Sequence, residues 1–465
     1  MFGVNSHGKH GLRIIIVGCG KVGSTLVAKL SKEGHDITII DKNPNKIQTL
    51  AGQFDVMGIC GNGASYSTQK EAGIDDSDLI IAVTESDELN LLCCAIAKQA
   101  TECAAIARVR TPDYNDDIRY LREKFGLALI INPELEAATE IARVLYLPSA
   151  LEISSFAHGQ AVLVNFKIPE GNILDGMRLI DLGKRISHNI LVCAVERNGE
   201  VIIPSGTFRL AAGDVISIVG RRIHSKNFLH SVGFTTKQVK NTLIVGGGTV
   251  AFYLAEQLIN MNINVKIIEQ DIKRCEELSL LLPKAIIING DGTDEELLLE
   301  EGIIEAESFV PLTGFDEENI MLTLYAKQVS AAKVITKINR ISFHNVINKL
   351  DLGSVAYPKF ITSEAIVAYV RARQASKDRN SIETLSYLFG ARVEAIEFIV
   401  NEDFPCLDVM LKDLSLKKNL LISLINRKGT AFIPGGLDCL KVGDTVIIVT
   451  TNVGYNELTD ILDLD

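Results

Sequence analysis

Seven residues near the amino end have the types and spacing to hold a phosphorylated nucleotide. Gly18-Cys19-Gly20-Lys21-Val22-Gly23 is a glycine-spaced turn, and Asp41 closes a second apolar run, His35–Ile40. In such a set the first glycine permits a tight turn, the second lets the backbone approach a pyrophosphate, and the third lets a helix pack on its strand. The acid accepts hydrogen bonds from ribose hydroxyls. Lys21 is the one cation in the turn, placed to meet a phosphate.

These residues work only if the right elements position them. The β-branched run Ile14–Val17 fits a buried parallel strand. A helix over Val22–Lys32 would aim its first N–H groups at the phosphate. Downstream, Pro44–Gln53 is amphipathic, Asp55–Cys60 reads as a strand ending at Gly61-Asn62-Gly63, and a helix over Ser65–Ala72 leads to strand Leu79–Val83. The turn Thr84–Glu88, a helix over Leu89–Gln99 and strand Ala104–Val109 complete an alternation that predicts a parallel sheet wound on both faces. Gly61, Asn62, Thr84 and Arg108 then fall with the glycine turn and Asp41 at the carboxyl ends of the strands, where such sheets bind ligands.

Pro133–Tyr146 carries an apolar stripe (Leu135, Ala138, Ile141, Ala142, Leu145) that reads as a helix facing core, stopped by Pro148. Residues 151–226 change to short β-rich runs, with Asn198-Gly199 as a hairpin turn. Gly233–Asn241 is polar and is expected to be a linker.

Beyond it the chain repeats itself. Leu243–Val245 followed by Gly246-Gly247-Gly248-Thr249-Val250-Ala251 restates the opening, and Glu269 stands as far beyond Gly246 as Asp41 does beyond Gly18. Asp291 corresponds to Asn62 and Thr313 to Thr84, at an interval one residue longer, and Ile433-Pro434-Gly435-Gly436 restates Ile203-Pro204-Ser205-Gly206 one residue further on again. A constant offset with so little drift marks a tandem duplication. The expected fold is α/β, with two Rossmann-like doubly wound parallel-sheet lobes at residues 12–148 and 241–372, each followed by a small α+β lobe at 150–228 and 381–463. In the second copy Thr249 removes the cation of Lys21 while Glu269 keeps the ribose acid, so that cleft is either a nucleotide site or a degenerate copy.

Composition narrows the function. With 465 residues and 47% hydrophobic content the chain supports several cored lobes, and a net charge of −11 argues against nucleic acid as the main partner. The most apolar stretch, Leu89–Ala107, is broken by Lys98, Gln99 and Glu102, too polar for a membrane span. Residues 1–11 have no signal-peptide core, so a cytoplasmic location is expected. The 9 cysteines are odd in number and unpaired in spacing, as expected for reduced thiols; Cys93, Cys94 and Cys103 read as core, and no metal site is expected. Cys19 lies in the turn as a thiol open to oxidation.

The turn at Gly18–Gly23, the Gly-Asn/Asp-Gly motif, Thr84 followed by Asp87-Glu88 and Asn90, and Ala107-Arg108-Val109 resemble the RCK (KTN) domains that regulate potassium channels and transporters. The tandem form is similar to the peripheral NAD-binding subunits of Trk-type uptake systems. The resemblance implies a regulatory subunit, not an enzyme, which binds NAD(H), or ATP/ADP, and acts through a ring of domains on an integral-membrane potassium channel or transporter subunit. Four chains would supply eight domains, peripheral on the cytoplasmic face of the cell membrane. It also implies that Gly18, Cys19, Gly20, Lys21, Val22 and Gly23 wrap phosphate, Asp41 holds ribose, Gly61, Asn62 and Thr84 line the adenosine side, and Arg108 lies close to the ligand or a neighbouring domain. Gly246, Gly248, Thr249, Val250, Glu269, Asp291 and Thr313 are their counterparts. Where relatives often carry an arginine, Lys21 lacks the bidentate fork. Two other readings remain open: an NAD-dependent oxidoreductase, for which only sparse histidines (His35, His158, His188, His224, His230) could serve as acid or base, and a nucleotide sensor with a different partner.

Overall fold

The computed structural model describes residues 11–114, 117–185, 189–339, 350, 352–375, 382–390 and 392–463; His188 and residues 1–10 lie outside them. Strands β1 (Arg13–Val17), β2 (Asp36–Asp41), β3 (Met57–Cys60), β4 (Leu79–Ala82), β5 (Ala104–Arg108) and β6 (Leu129–Ile131) form one sheet in the order β3-β2-β1-β4-β5-β6. Every neighbouring pair is parallel. Ile14–Val17 and Leu79–Ala82 are almost wholly buried, as unbroken apolar strands covered on both faces should be. The helices are α1 (Lys21–Lys32), α2 (Pro44–Gln53), α3 (Tyr66–Glu71), α4 (Asp87–Ala100), α5 (Ile118–Lys124) and α6 (Pro133–Tyr146). α1 buries Val22, Leu26, Val27 and Leu30 at helical spacing, and α2 starts with Pro44 behind an Asn43 cap. The strand order reverses between β1 and β4, so the crevice for a ligand opens at the carboxyl ends of those strands.

Most spans agree with the sequence reading to within a residue or two, and α2 and α6 match it at both ends. α4 begins at Asp87 instead of Leu89 because Ser86 Oγ accepts the Leu89 N–H at 3.1 Å and draws the preceding turn into the helix. α5 and β6 had no counterpart in that reading. α5 buries no residue and so shows no apolar stripe, and β6 has three residues.

The first small lobe is an antiparallel sheet of β7 (Glu152–Phe156), β8 (Ala161–Lys167), β9 (Ile190–Arg197), β10 (Glu200–Ile202) and β11 (Val215–Arg221) in the order β10-β9-β11-β8-β7, with α7 (Leu179–Arg185) and α8 (Arg222–Ser231). Asn198 and Gly199, at φ 53° and 84°, close β9 onto β10 as the hairpin turn requires.

The second half repeats both sheets. β12 (Asn241–Val245), β13 (Asn264–Glu269), β14 (Ile286–Asn289), β15 (Ser308–Pro311), β16 (Lys333–Lys337) and β17 (Ser354–Ala356) pair in the order β14-β13-β12-β15-β16-β17, all parallel, with α9 (Thr249–Asn260), α10 (Ile272–Leu281), α11 (Glu295–Glu300) and α12 (Asp316–Val329). After α13 (Pro358–Ala375) come β18 (Ile382–Leu388), β19 (Val393–Ile399), β20 (Leu420–Arg427), β21 (Thr430–Phe432) and β22 (Thr445–Thr450), in the order β18-β19-β22-β20-β21. The duplication thus extends to strand order.

The expected linker is not a solvated tether. Phe234 packs edge-on against Phe166 with centroids 5.0 Å apart, Val239 is buried with its N–H on the Leu145 carbonyl at 3.3 Å, and β12 begins at Asn241. The polar residues around Phe234 and Val239 hide two anchors. The chain divides into two compact units: residues up to Glu136 with Lys359–Val367, and Ala137–Pro358 with Ala368–Asp465.

Candidate nucleotide-binding site

The site grows from the exit of β1. Gly18 has φ +102°, its N–H donates to the Ile40 carbonyl at 2.8 Å, and a Cβ there would come within 3.0 Å of the Val83 and Thr84 backbone. Gly23 is tighter, since a Cβ would lie 1.9 Å from the Gly18 carbonyl oxygen. Gly20 is the opposite case: nothing lies within 4 Å of where its Cβ would be. The turn is therefore packed on its protein side and open on its outer side, a cradle for a phosphate against bare backbone. The first-turn N–H groups of α1, from Lys21 to Gly23, have no intrahelical acceptor. Lys21 is exposed, and its ammonium has no ion-pair partner among the described residues.

Asp41 ends β2 beside this turn. Its Oδ2 accepts the Cys19 N–H at 2.7 Å and its Oδ1 the Asn43 N–H at 2.8 Å. Each oxygen keeps a second lone pair, so an oriented carboxylate faces the crevice able to accept from a diol. The Cys19 N–H is thereby taken, and it fixes the Asp41 carboxylate. The Cys19 thiol is buried and pushed up to about 12, first by burial and then by the Asp41 charge, so it is no reactive thiolate. All nine cysteines are free, and Cys93, Cys94 and Cys103 are core.

Across the switch point, Thr84 is held by Asn90. The Asn90 Oδ1 accepts the Thr84 N–H at 2.8 Å and its hydroxyl at 2.7 Å, while Nδ2 donates to the Arg108 carbonyl at 2.9 Å. One fully buried amide on α4 thus pins the exits of β4 and β5. Asp87, one turn earlier, accepts from the Arg110 N–H and from both the N–H and hydroxyl of Thr111 at 2.6–2.9 Å. The Arg108 guanidinium reaches back to the Thr84 carbonyl at 3.5 Å and pairs with Glu134 at 2.7 Å in a mostly buried setting. Asn62 uses its Oδ1 to accept the Ala64 N–H at 3.2 Å, capping the turn after β3. The sheet therefore gathers Gly18–Gly23, Asp41, Gly61, Asn62, Thr84 and Arg108 at one edge.

The roles of Asn90 and Asp87 escaped the sequence reading, although their recurrence as Asn319 and Asp316 was the signal that could have found them. No spacing rule pairs Arg108 with Glu134. His35, the one histidine of this sheet among the described residues, lies at the opposite edge, where its Nδ1 accepts the Leu12 N–H.

The second cleft repeats the scaffold. The Gly246 N–H donates to the Ile268 carbonyl at 2.8 Å, and Glu269 accepts the Gly247 N–H at 2.6 Å and the Asp271 N–H at 2.8 Å. Asn319 holds Thr313 and the Lys337 carbonyl as Asn90 holds Thr84 and Arg108. Gly248, Thr249 and Val250 open α9. Asp291 accepts the N–H and hydroxyl of Thr293, and those bonds hold its carboxyl below the usual range. The difference lies over the turn, where Arg274 Nε donates to the Gly247 carbonyl at 2.8 Å.

Family models match this arrangement at both copies. The TrkA-N domain matches residues 14–133 and 242–358, and the TrkA-C domain matches residues 163–227 and 395–463. The chain belongs to the TrkA family. Two TrkA-family relatives span nearly its whole length. The Trk system potassium uptake protein TrkA of Haemophilus influenzae is 31% identical over 444 residues, 94% of this chain and 95% of the relative. The Trk system potassium uptake protein TrkA homolog 1 of Methanosarcina mazei is 32% identical over 455 residues, 96% and 99% of the two chains. Among solved structures the fold is similar to the GsuK channel bound to NAD, with TM-score 0.62 at 16% identity over 97% of this chain and 78% of that one. It is also similar to the GsuK RCK domain, with TM-score 0.62 at 15% identity over 98% and 95%. The tandem TrkA-N/TrkA-C order accounts for the duplication read from the sequence.

Proposed function

We propose that the chain is a nucleotide-sensing regulatory subunit that binds NAD(H), or ATP/ADP, in its first cleft and gates a membrane potassium transporter or channel. The observation that carries this reading is Asp41, clamped by two backbone N–H groups beside a glycine turn whose outer face is open. A diol would meet the carboxylate while a pyrophosphate lies against Gly20 and the first turn of α1 with Lys21 near it. The names of the relatives, potassium uptake proteins, and of a fold neighbour, a channel bound to NAD, support it. The four lobes take the boundaries 12–148, 150–228, 241–372 and 381–463, and four chains supply eight RCK domains in a ring at the cytoplasmic face of the membrane. No helix among the described residues is long and apolar enough to cross a membrane, which fits a peripheral partner. His35 lies at the edge away from the cleft, which favours sensing over hydride transfer.

A ligand can gate only by binding one ring shape more tightly, and a swing from 1:99 to 99:1 needs about a 10⁴-fold difference. Titration calorimetry with NADH, ATP and ADP tests the reading. Asp41→Ala is expected to weaken binding at least tenfold and Glu269→Ala to weaken it less. Failure of the unmodified protein to bind any of the three would overturn it.

A further inference from the structure

The second cleft keeps the receiving geometry of the first and loses its phosphate cations. The Glu269 carboxylate is clamped by the Gly247 N–H at 2.6 Å and the Asp271 N–H at 2.8 Å, as Asp41 is clamped in the first copy. Each oxygen keeps a lone pair for a diol. Nothing lies within 4 Å of where a Cβ on Gly248 would be, so the turn is as open there as at Gly20. A nucleoside finds the same seat in both copies. What differs is the charge around it.

Thr249 stands where Lys21 does and Gln270 where Lys42 does, so the phosphate side loses both of those cations. Arg274 lies over the turn, but its Nε donates to the Gly247 carbonyl at 2.8 Å and its Nη1 pairs with Glu277 at 2.6 Å, which neutralises it in place. Lys337, the counterpart of Arg108, donates to the Leu312 carbonyl at 2.7 Å. Negative charge is added at the same time. Glu318 replaces Leu89 in the first turn of α12, and Asp291 replaces Asn62. Burial, and then the neighbouring Asp291 carboxylate, push the Glu318 carboxyl up, while a hydrogen bond with Thr313 opposes them. The two acids therefore lie close together beside Thr313, at the carboxyl ends of the strands where Glu269 also stands.

A di- or triphosphate would bring its negative charge to a cleft that sets only the N–H groups of α9 against the carboxylates of Glu269, Asp291 and Glu318. Like charges at close range in a partly dehydrated cleft repel. Ribose hydroxyls and a base amine are donors, which the same carboxylates accept. We propose that the second cleft selects a nucleoside or nucleoside monophosphate whose base presents an amino edge, and that Thr249 and Glu318 turn polyphosphates away. This rests on the reading of these clefts as nucleotide sites, and silencing one cleft at a time separates the two.

Full-length Asp41→Ala protein, with its first cleft weakened, would be titrated calorimetrically in EDTA with adenosine, AMP and ATP. Adenosine and AMP are each expected to bind at least tenfold more tightly than ATP, and adding Glu269→Ala should abolish that binding. Thr249→Lys combined with Glu318→Leu, the residues of the first copy, should raise ATP affinity at least tenfold and leave adenosine affinity nearly unchanged. Glu318→Gln, which keeps the shape and removes the charge, should give a smaller gain for ATP and stands in if the double variant does not fold. ATP binding to the Asp41→Ala protein as tightly as adenosine would overturn the proposal. So would binding of none of the three, or an unchanged ratio of ATP to adenosine affinity in the folded Glu318→Gln variant. The Glu269→Ala protein reports the first cleft alone. If it binds no NADH, ATP or ADP while the Asp41→Ala protein binds adenosine, the reading of the first cleft fails and that of the second stands.

Discussion

Gly23 and Gly20 sit three residues apart in one turn yet serve opposite ends. A methyl group at Gly23 would meet the Gly18 carbonyl at 1.9 Å, whereas at Gly20 it would enter open space. Gly23→Ala is therefore expected to cost about 2 kcal/mol or more in denaturant unfolding, because backbone must move. Gly20→Ala should change stability by less than about 1 kcal/mol while lowering NADH affinity at least tenfold, since the methyl takes the space proposed for phosphate. The second copy carries Ala251 where Gly23 stands, fully buried, so its helix start tolerates the methyl that the first cannot. Asp41 belongs to the same scale, its side chain oriented before any ligand arrives.

At the scale of elements, the cleft depends on Asn90 tying α4 to the exits of β4 and β5. Asn90→Ala removes the acceptor for the Thr84 N–H and the donor to the Arg108 carbonyl. Buried backbone groups left unpaired cost about 1–3 kcal/mol each, so a loss of about 2–4 kcal/mol is expected in thermal or denaturant unfolding. β7 holds a different device. Burial raises the Glu152 carboxyl from 4.5 to about 7, opposed by the Asn165 amide, which donates to it at 2.7 Å; Glu140 on α6 is raised to about 8 by burial and by Glu152. A carboxyl raised in the fold contributes stability that is complete below its unfolded pKa and lost as pH rises through about 7. Glu152→Gln keeps an acceptor for Asn165 and removes the ionisation. Its stability relative to the parent should rise between pH 5 and pH 8 by about 2 kcal/mol, read from melting curves at both pH values.

For the whole molecule, the compact units do not follow the duplication. The first parallel sheet belongs to one unit together with Lys359–Val367 of α13, and the other three sheets belong to the second. Within that second unit the two small lobes share a core: Phe156, Leu163 and Cys193 pack with Phe389, Val393 and Ile447. The Ala157 N–H, in a left-handed backbone at φ 50°, donates to both oxygens of the buried Glu397 at 2.9 and 3.1 Å, and Arg392 pairs with Glu196 and the Gly199 carbonyl. Glu397→Ala strips the acceptor from a buried N–H and is expected to cost about 2 kcal/mol, with earlier proteolytic cleavage in the small lobes. Glu397→Gln, which keeps one oxygen, should lose less than half of that in the same melts.

The sequence by itself determined what local chemistry encodes. Apolar runs made the parallel strands, and proline and asparagine starts set α2 and α6 to the residue. The Asn198-Gly199 pair set a hairpin, and a constant interval revealed the duplication together with both glycine turns and their acids. Those signals survive without a third dimension because each depends on neighbours a few residues away or on a copy of itself. Only the tertiary structure decided that Arg108 pairs with Glu134, that Asn90 spans two strand exits, that the segment around Phe234 is packed, and that the small lobes share one core. These depend on which residues the sheet order and lobe packing bring together across long stretches of chain, and no periodicity in the sequence records such meetings.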